Sequence, residues 1–206
     1  MTIEHLPDGV DYHPGWFDAA AQTALLEDIR AVVAQAPLFT PRMPRTGKPM
    51  HVRMSNCGAL GWVTDKERGY RYQATHPETG RPWPAMPEML RDLWDRLSGC
   101  SAPAQACLIN YYEANAKMGL HQDRDEKTFS APVLSVSLGD DCLFRIGGVT
   151  RGGPTQSLRL ASGDVILLGG ESRLRYHGVD RIYPGTSMLM KKEGRINLTM
   201  RLVDPV

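Results

Sequence analysis

Two stretches of the chain repeat apolar residues at helical spacing. From about Asp18 to Ala36, Leu25, Ile29 and Val32 or Val33 fall on one face; Asp18 can cap the start and Pro37 ends the run. A second helix opens at Pro87, carries Leu90, Leu93, Trp94 and Leu97 on one stripe, and closes at Gly99. Both stripes read as core-facing surfaces. Residues 1–17, polar and broken by Pro7 and Pro14, read as an extended lead-in.

From residue 105 the pattern becomes one of short, often alternating runs. Ala106–Tyr112, Val133–Leu138, Leu143–Ile146, Ser157–Leu160, Val165–Leu168, Leu174–Val179 and Ile196–Val203 are predicted strands. Turn residues such as Gly139-Asp140-Asp141 and Ser162-Gly163-Asp164 separate them. Many short strands with tight turns suggest an antiparallel sandwich or jelly roll. Helices packed on one outer face make the fold class α+β. At 206 residues, without repeats or linkers, the chain reads as one domain over 1–206.

Residues 38–64 break the pattern. They hold Arg42, Arg45, Lys48 and Arg53 with no acidic residue, and Pro37, Pro41, Pro44, Gly47 and Pro49 argue against regular structure at their start. A basic, apolar-studded loop leading to Trp62 fits a cover over a site, and fits a solvated surface loop equally well. The net charge of +1 places any polyanion contact on a local patch. Cys57, Cys100, Cys107 and Cys142 form no C-x-x-C pair and read as reduced thiols of a cytoplasmic protein. The N-terminus has no signal-peptide pattern, and no apolar run approaches the roughly 18 residues of a membrane span.

His121-Gln122-Asp123 places two ligand-type side chains at i and i+2, which share a face on a strand. With a remote third ligand they can occupy one face of an octahedral Fe(II), leaving adjacent positions open for a bidentate keto acid and O₂. Alone, a His-x-Asp pair is as well explained by a salt-linked histidine at a strand end. His177 lies in a late strand pattern and can serve as the distal ligand. Then Arg195, Asn197, Thr199 and Arg201 alternate with apolar residues and face the same way on a strand. The ordinary account is a solvent-facing edge strand; the functional one is a clamp for a dicarboxylate, which Arg binds bidentately. Asn110 and Tyr112 share a face upstream and could bond the same anion.

Together these residues resemble a family. Asn110-x-Tyr112, His121-Gln-Asp123-Arg-Asp125-Glu126, Ser135-Val-Ser137-Leu-Gly139, Gly169-Gly-Glu-Ser-Arg173, His177-Gly178 and Arg195-x-Asn197-x-Thr199-x-Arg201 look like the bacterial AlkB dealkylases. Asn56-Cys57-Gly58-x-Leu60-Gly61-Trp62 and Pro82-Trp83-Pro84-Ala85-Met86-Pro87 agree, and the resemblance runs from about residue 20 to 203. It implies a double-stranded β-helix (jelly-roll) core, N-terminal helices on one face, and residues 38–75 as substrate-covering loops. It implies Fe(II) on His121, Asp123 and His177, with 2-oxoglutarate and O₂. Arg201 is expected on the distal carboxylate of 2-oxoglutarate and Arg195 on the one nearer the iron, with Asn110, Tyr112 and Asn197 completing the pocket. Trp62 would stack on a flipped base opposite His121, Tyr70 and Arg151 would contact the lesion strand, and Asp125 would pair with the base. Met200 stands where relatives often carry an aromatic, which reads as a core-packing change.

The implied activity is oxidative dealkylation of N-alkylated bases of the 1-methyladenine and 3-methylcytosine type in DNA or RNA. Formaldehyde, succinate and CO₂ are released, and the partner is single-stranded or flipped-out nucleic acid acted on by a monomer. A different class keeps the iron oxygenase and changes the substrate to a protein or small molecule. A third is a non-enzymatic nucleic-acid binder on an inactive jelly roll, against which the intact His-Asp-His set and both arginines argue.

Overall fold

In the computed structural model, which describes residues 6–204, twelve strands and two helices form three layers. The first five residues of the expected lead-in lie outside the described residues. β1 (Val10–His13) precedes α1 (Ala19–Gln35); β2 (Arg53–Gly58), β3 (Gly61–Asp65) and β4 (Gly69–Gln73) follow, then α2 (Glu88–Leu97). The remaining strands are β5 (Ala106–Tyr112), β6 (Met118–His121), β7 (Val133–Gly139), β8 (Asp141–Ile146), β9 (Gln156–Leu160), β10 (Val165–Leu168), β11 (His177–Tyr183) and β12 (Arg195–Arg201). A six-stranded sheet has the order β1-β10-β7-β12-β5-β2 and a four-stranded sheet the order β6-β11-β8-β9. Every pairing is antiparallel.

Alternation along the central strands creates two cores. Ile196, Leu198 and Met200 of β12 and Cys107 and Ile109 of β5 pack with Leu25, Leu26, Ile29 and Val32 of α1 and Leu90, Leu93 and Trp94 of α2. Met200 is fully buried there, as a packing residue should be. Leu108 and Tyr112 of β5 turn the other way. They join Phe144, Ile146, Leu158, Leu160, Ile166, Leu168, Val179 and Ile182 between the two sheets. The expected α+β jelly roll with helices on one face is therefore observed. α1 is capped as expected, Asp18 Oδ1 accepting from the Ala21 amide at 2.8 Å.

Three expectations about elements need correction. The segment 38–75 is not simply loop: β2 adds a strand to the large sheet, and β3 and β4 make a separate hairpin. The prolines kept regular structure only from the residues before Arg53, where Arg42 and Pro49 make an isolated bridge. The predicted strand Leu174–Val179 begins instead at His177. A 3₁₀ turn at Gly170–Ser172 precedes it, and the chain beyond is pinned by side chains: Arg175 donates to Ser172 Oγ (2.9 Å) and Gly147 O (3.0 Å). The lead-in contains β1, which pairs with β10 and closes the edge of the large sheet.

Candidate active site

The two histidines are cross-strand partners, His177 of β11 directly opposite His121 of β6, with ring centroids 4.7 Å apart. The strands approach closely because residue 178 is glycine: a Cβ there would lie 2.5 Å from Met118 O and 2.9 Å from Gly119 O. β6 ends at His121, so Asp123 is not on the strand as expected. It reaches the histidines because the chain past β6 is tied down. Gln122 Nε2 donates to Leu174 O (2.6 Å) and Val149 O (3.0 Å), and Arg173 Nη1 donates to Asp123 O (2.6 Å).

The ligand atoms of His121, Asp123 and His177 all lie within 4.8 Å of one another. Asp123 Oδ1 is 3.8 Å from His121 Nε2, and its Oδ2 is 3.6 Å from His177 Nε2. Each Nδ1 faces a backbone carbonyl at 3.0 Å, Gly119 O for His121 and Arg175 O for His177. Donation there leaves both Nε2 lone pairs aimed at the shared space, the arrangement metal-bound histidines use. Burial and then His177 pull the His121 pKa down to about 4, so the ring is neutral near pH 7. Burial opposes the charge of Asp123, but the carboxyl is held well below its usual range, chiefly by the Arg201 guanidinium beside it.

β12 is an interior strand between β7 and β5, which removes the solvent-facing account of its polar residues. Arg195 and Arg201 are 1% and 5% exposed. Asn197 is the cross-strand partner of Asn110, and Arg195 that of Tyr112, so all four sit on the face turned toward the small sheet. Arg195 Nη2 donates to Ser137 Oγ (2.7 Å), and Asn197 Nδ2 donates to Ser135 Oγ (2.6 Å). Among the described residues, seven buried side-chain polar atoms lack a hydrogen-bond partner. Six belong to Asn110, Asp123, Arg195 and Arg201, and include Nη1 of both arginines. Buried donors are rarely left unpaired, so this cluster fits an anionic ligand and a cation beside it.

The order of the arginines is the reverse of the expected one. Arg201 Nη2 lies 2.9 Å from Asp123 Oδ1, at the metal end, whereas Arg195 sits six residues along the strand on Ser137. Both line one cavity of about 780 Å³, with Asn110, Tyr112, Asn197 and the His121, Asp123 and His177 side chains.

The same cavity is walled by the β3–β4 hairpin. Trp62 stacks on Tyr70 (centroids 5.6 Å, 22° between planes), and its Nε1 donates to Asp125 Oδ2 at 2.7 Å. Gly61 lets the hairpin seat, since a Cβ there would strike the Trp83 indole. Met43, Lys48, Met50 and His51 add the basic, apolar-studded segment to this wall. Tyr70 and Arg151 stand at the rim, Tyr70 about half exposed and the Arg151 guanidinium 5.8 Å from the centre of the Tyr176 ring. Three residues without an assigned role prove central: Tyr72, Glu126 and Arg173. Tyr72 donates to Glu126 Oε1 (2.5 Å), and Arg173 Nη2 bonds Glu126 Oε2 (3.1 Å). The alternation Tyr70-Arg71-Tyr72 was the available signal for the first.

The sequence profile described as 2OG-Fe(II) oxygenase superfamily matches residues 9–201. The chain is 56% identical over 193 residues to an "Alpha-ketoglutarate-dependent dioxygenase AlkB homolog" of Caulobacter vibrioides, covering 94% of this chain and 87% of that protein. This chain belongs to the AlkB family of 2OG-Fe(II) oxygenases. It is also 43% identical over 189 residues to "Alpha-ketoglutarate-dependent dioxygenase AlkB" of Escherichia coli, covering 90% of this chain and 85% of that one. The solved structure titled "The structure of OsALKBH1" superposes with a TM-score of 0.80 at 28% identity, covering 96% of this chain and 98% of that one. As a member of this family the chain is an Fe(II)- and 2-oxoglutarate-dependent dioxygenase that also uses O₂. No described helix is long and apolar enough to cross a membrane.

Proposed function

We propose that this AlkB-family chain removes alkyl groups from N-alkylated bases of the 1-methyladenine and 3-methylcytosine type, in DNA or RNA. The observation that carries the reading is one cavity with two kinds of wall. His121, Asp123, His177 and two buried guanidiniums form one, and the Trp62–Tyr70 aromatic stack with Asp125 forms the other.

His121, Asp123 and His177 would hold Fe(II). Arg201, beside Asp123, would take the carboxylate of 2-oxoglutarate nearer the metal, and Arg195 the far one, with Asn110, Tyr112 and Asn197 around them. When bound, Fe(II) with 2-oxoglutarate and O₂ oxidises an N-methyl carbon to N-hydroxymethyl, which leaves as formaldehyde while the keto acid becomes succinate and CO₂. The protein's part is placement. Trp62 offers a stacking face, a contribution on the order of 1–3 kcal/mol per base. Asp125 presents a carboxylate to a base that methylation has made cationic, favouring it over a neutral one. Tyr70 and Arg151 at the rim would meet the strand on either side, and segments of 38–75 would cover the nucleotide. The base must leave its stack to reach the cavity, so a single strand or a lesion that already blocks pairing is the easier substrate. The four cysteines are free, which supports work in the reducing cytoplasm.

The test incubates purified protein with Fe(II), ascorbate, 2-oxoglutarate and a single-stranded oligonucleotide carrying one 3-methylcytosine, read by mass spectrometry. Loss of one methyl mass, dependent on 2-oxoglutarate and absent in His121→Ala, is expected. Turnover of 2-oxoglutarate to succinate with the oligonucleotide mass unchanged would refute the base substrate and point to a protein or small molecule.

A further inference from the structure

The aromatic wall and the metal end of the cavity are joined by a chain of buried and part-buried polar contacts. Trp62 and Tyr72 are direct cross-strand partners in the β3–β4 hairpin, and Tyr70 lies two residues before Tyr72, so all three project from one face of the ribbon. Two side-chain bonds fasten that face to the segment following Asp123. One is the exposed bond from Trp62 to Asp125. The other is part-buried, Tyr72 to Glu126. Glu126 Oε1, which accepts the Tyr72 hydroxyl, also lies 3.3 Å from Arg201 Nε, while Oε2 bonds Arg173. Arg201 in turn holds Asp123 at 2.9 Å and keeps Nη1 unpartnered. The path Tyr72–Glu126–Arg201–Asp123 therefore runs from the base-facing ribbon to the metal carboxylate, its Glu126–Arg201 step being an ion pair at 3.3 Å in which Arg201 Nε makes no hydrogen bond.

The Tyr72 hydroxyl is not needed to neutralise Glu126, which already faces two guanidiniums. Nor is it needed to fill space, since phenylalanine has the same ring. Burial raises its pKa, only partly opposed by Arg201, so the phenol stays protonated and donates. What it adds is direction: it fixes how the carboxylate presents to Arg201. Resting on the reading that Arg201 binds 2-oxoglutarate, we infer that Tyr72 is a positioning residue that couples seating of an alkylated base on the hairpin to the grip of Arg201 on the cosubstrate. Each ligand then strengthens the other by the same factor, as linkage requires.

The experiment measures 2-oxoglutarate binding to the Mn(II)-loaded protein by anaerobic calorimetry, with and without the 3-methylcytosine oligonucleotide. In the unaltered protein the oligonucleotide should tighten 2-oxoglutarate at least about fivefold, the lower end of usual coupling. In Tyr72→Phe the tightening should fall toward one, while the affinity without oligonucleotide changes less. Glu126→Gln, measured beside it, should also lose the coupling, and adding Tyr72→Phe to it should change nothing further, because both act along one path. Wild-type tightening retained in Tyr72→Phe, or no tightening in the unaltered protein, would overturn the inference alone. Failure of the unaltered protein to bind 2-oxoglutarate at all, or an affinity unchanged by Arg201→Lys, would overturn the function reading beneath it.

Discussion

Replacing Arg195 with methionine should move stability and ligand binding in opposite directions. Arg195 is 1% exposed, makes no ion pair among the described residues, and has a single side-chain bond, to Ser137, while Nε and Nη1 stay unpartnered. Burying an ion costs several kcal/mol after relaxation, and removing an uncompensated one returns much of that. Orphaning the Ser137 hydroxyl costs about 1 kcal/mol, and solvent in the cavity already offsets part of the ionic penalty. Without 2-oxoglutarate, Arg195→Met should therefore be as stable as the parent or more so, by up to about 2 kcal/mol. Binding should suffer on the scale of a lost partner in a buried charge pair, about 2–5 kcal/mol. The two effects separate in a thermal melt. A ligand at a hundred times its Kd stabilises by about 2.7 kcal/mol, worth roughly 5–11 °C for a domain of this size. A hundredfold loss of affinity cuts that to about 0.4 kcal/mol, or roughly 1 °C. Melting the Mn(II)-loaded proteins with and without 2-oxoglutarate gives both numbers. A mutant that melts well below the parent without ligand, or that gains as much from 2-oxoglutarate, would refute the argument.

Two further outcomes follow from other parts of the molecule. Asp164 accepts from the Tyr12 hydroxyl (2.7 Å), the Gly15 amide (2.8 Å) and the Ala161 amide (2.7 Å), tying β1 to the β9–β10 turn. Asp164→Ala strands three donors and should cost about 3–5 kcal/mol, read as a lower urea midpoint with 2-oxoglutarate affinity unchanged; a loss under about 1 kcal/mol would show that the bonds are replaced by solvent. Burial and then His177 lower the His121 pKa to about 4 from an ordinary 6.5, with solvent at its part-exposed side chain screening some of that shift, so the unfolded chain takes up a proton first as pH falls. The metal-free protein should hold its full contribution from this group above pH 6.5 and lose it progressively down to pH 4. Urea midpoints across that range should fall less steeply in His121→Ala, and an identical slope would remove His121 as the cause.

The parts of the fold legible in the sequence are those whose pattern local burial dictates. α1 and α2 begin one residue after Asp18 and Pro87 and end two residues before Pro37 and Gly99, and Ala106–Tyr112 and Val165–Leu168 have the observed bounds. Of the strands missed, β1 and β2 have remote partners, whereas β3 and β4 pair only with each other across a tight turn in a stretch read as loop. β2 reads as a basic, proline-led stretch until it is laid beside β5, where Cys57 faces Cys107 and Asn56 faces Leu108. The site shows the same division. The ligand set could be named because metal chemistry restricts the residue types, yet its geometry depends on contacts no local pattern carries. Asp123 reaches the histidines because Gln122 is tied to Val149 and Leu174 and Arg173, fifty positions away, holds the Asp123 carbonyl. The order of Arg195 and Arg201 along the cavity is likewise a matter of which end of β12 meets Asp123, and periodicity alone says only that they share a face. Tyr72 and Glu126 carry no role in the sequence reading because a part-buried phenol–carboxylate contact between a hairpin and a loop has no sequence period at all. Where a side chain's partner is set by topology, its role becomes visible only in the folded chain, and in this protein those side chains connect the two walls of the cavity.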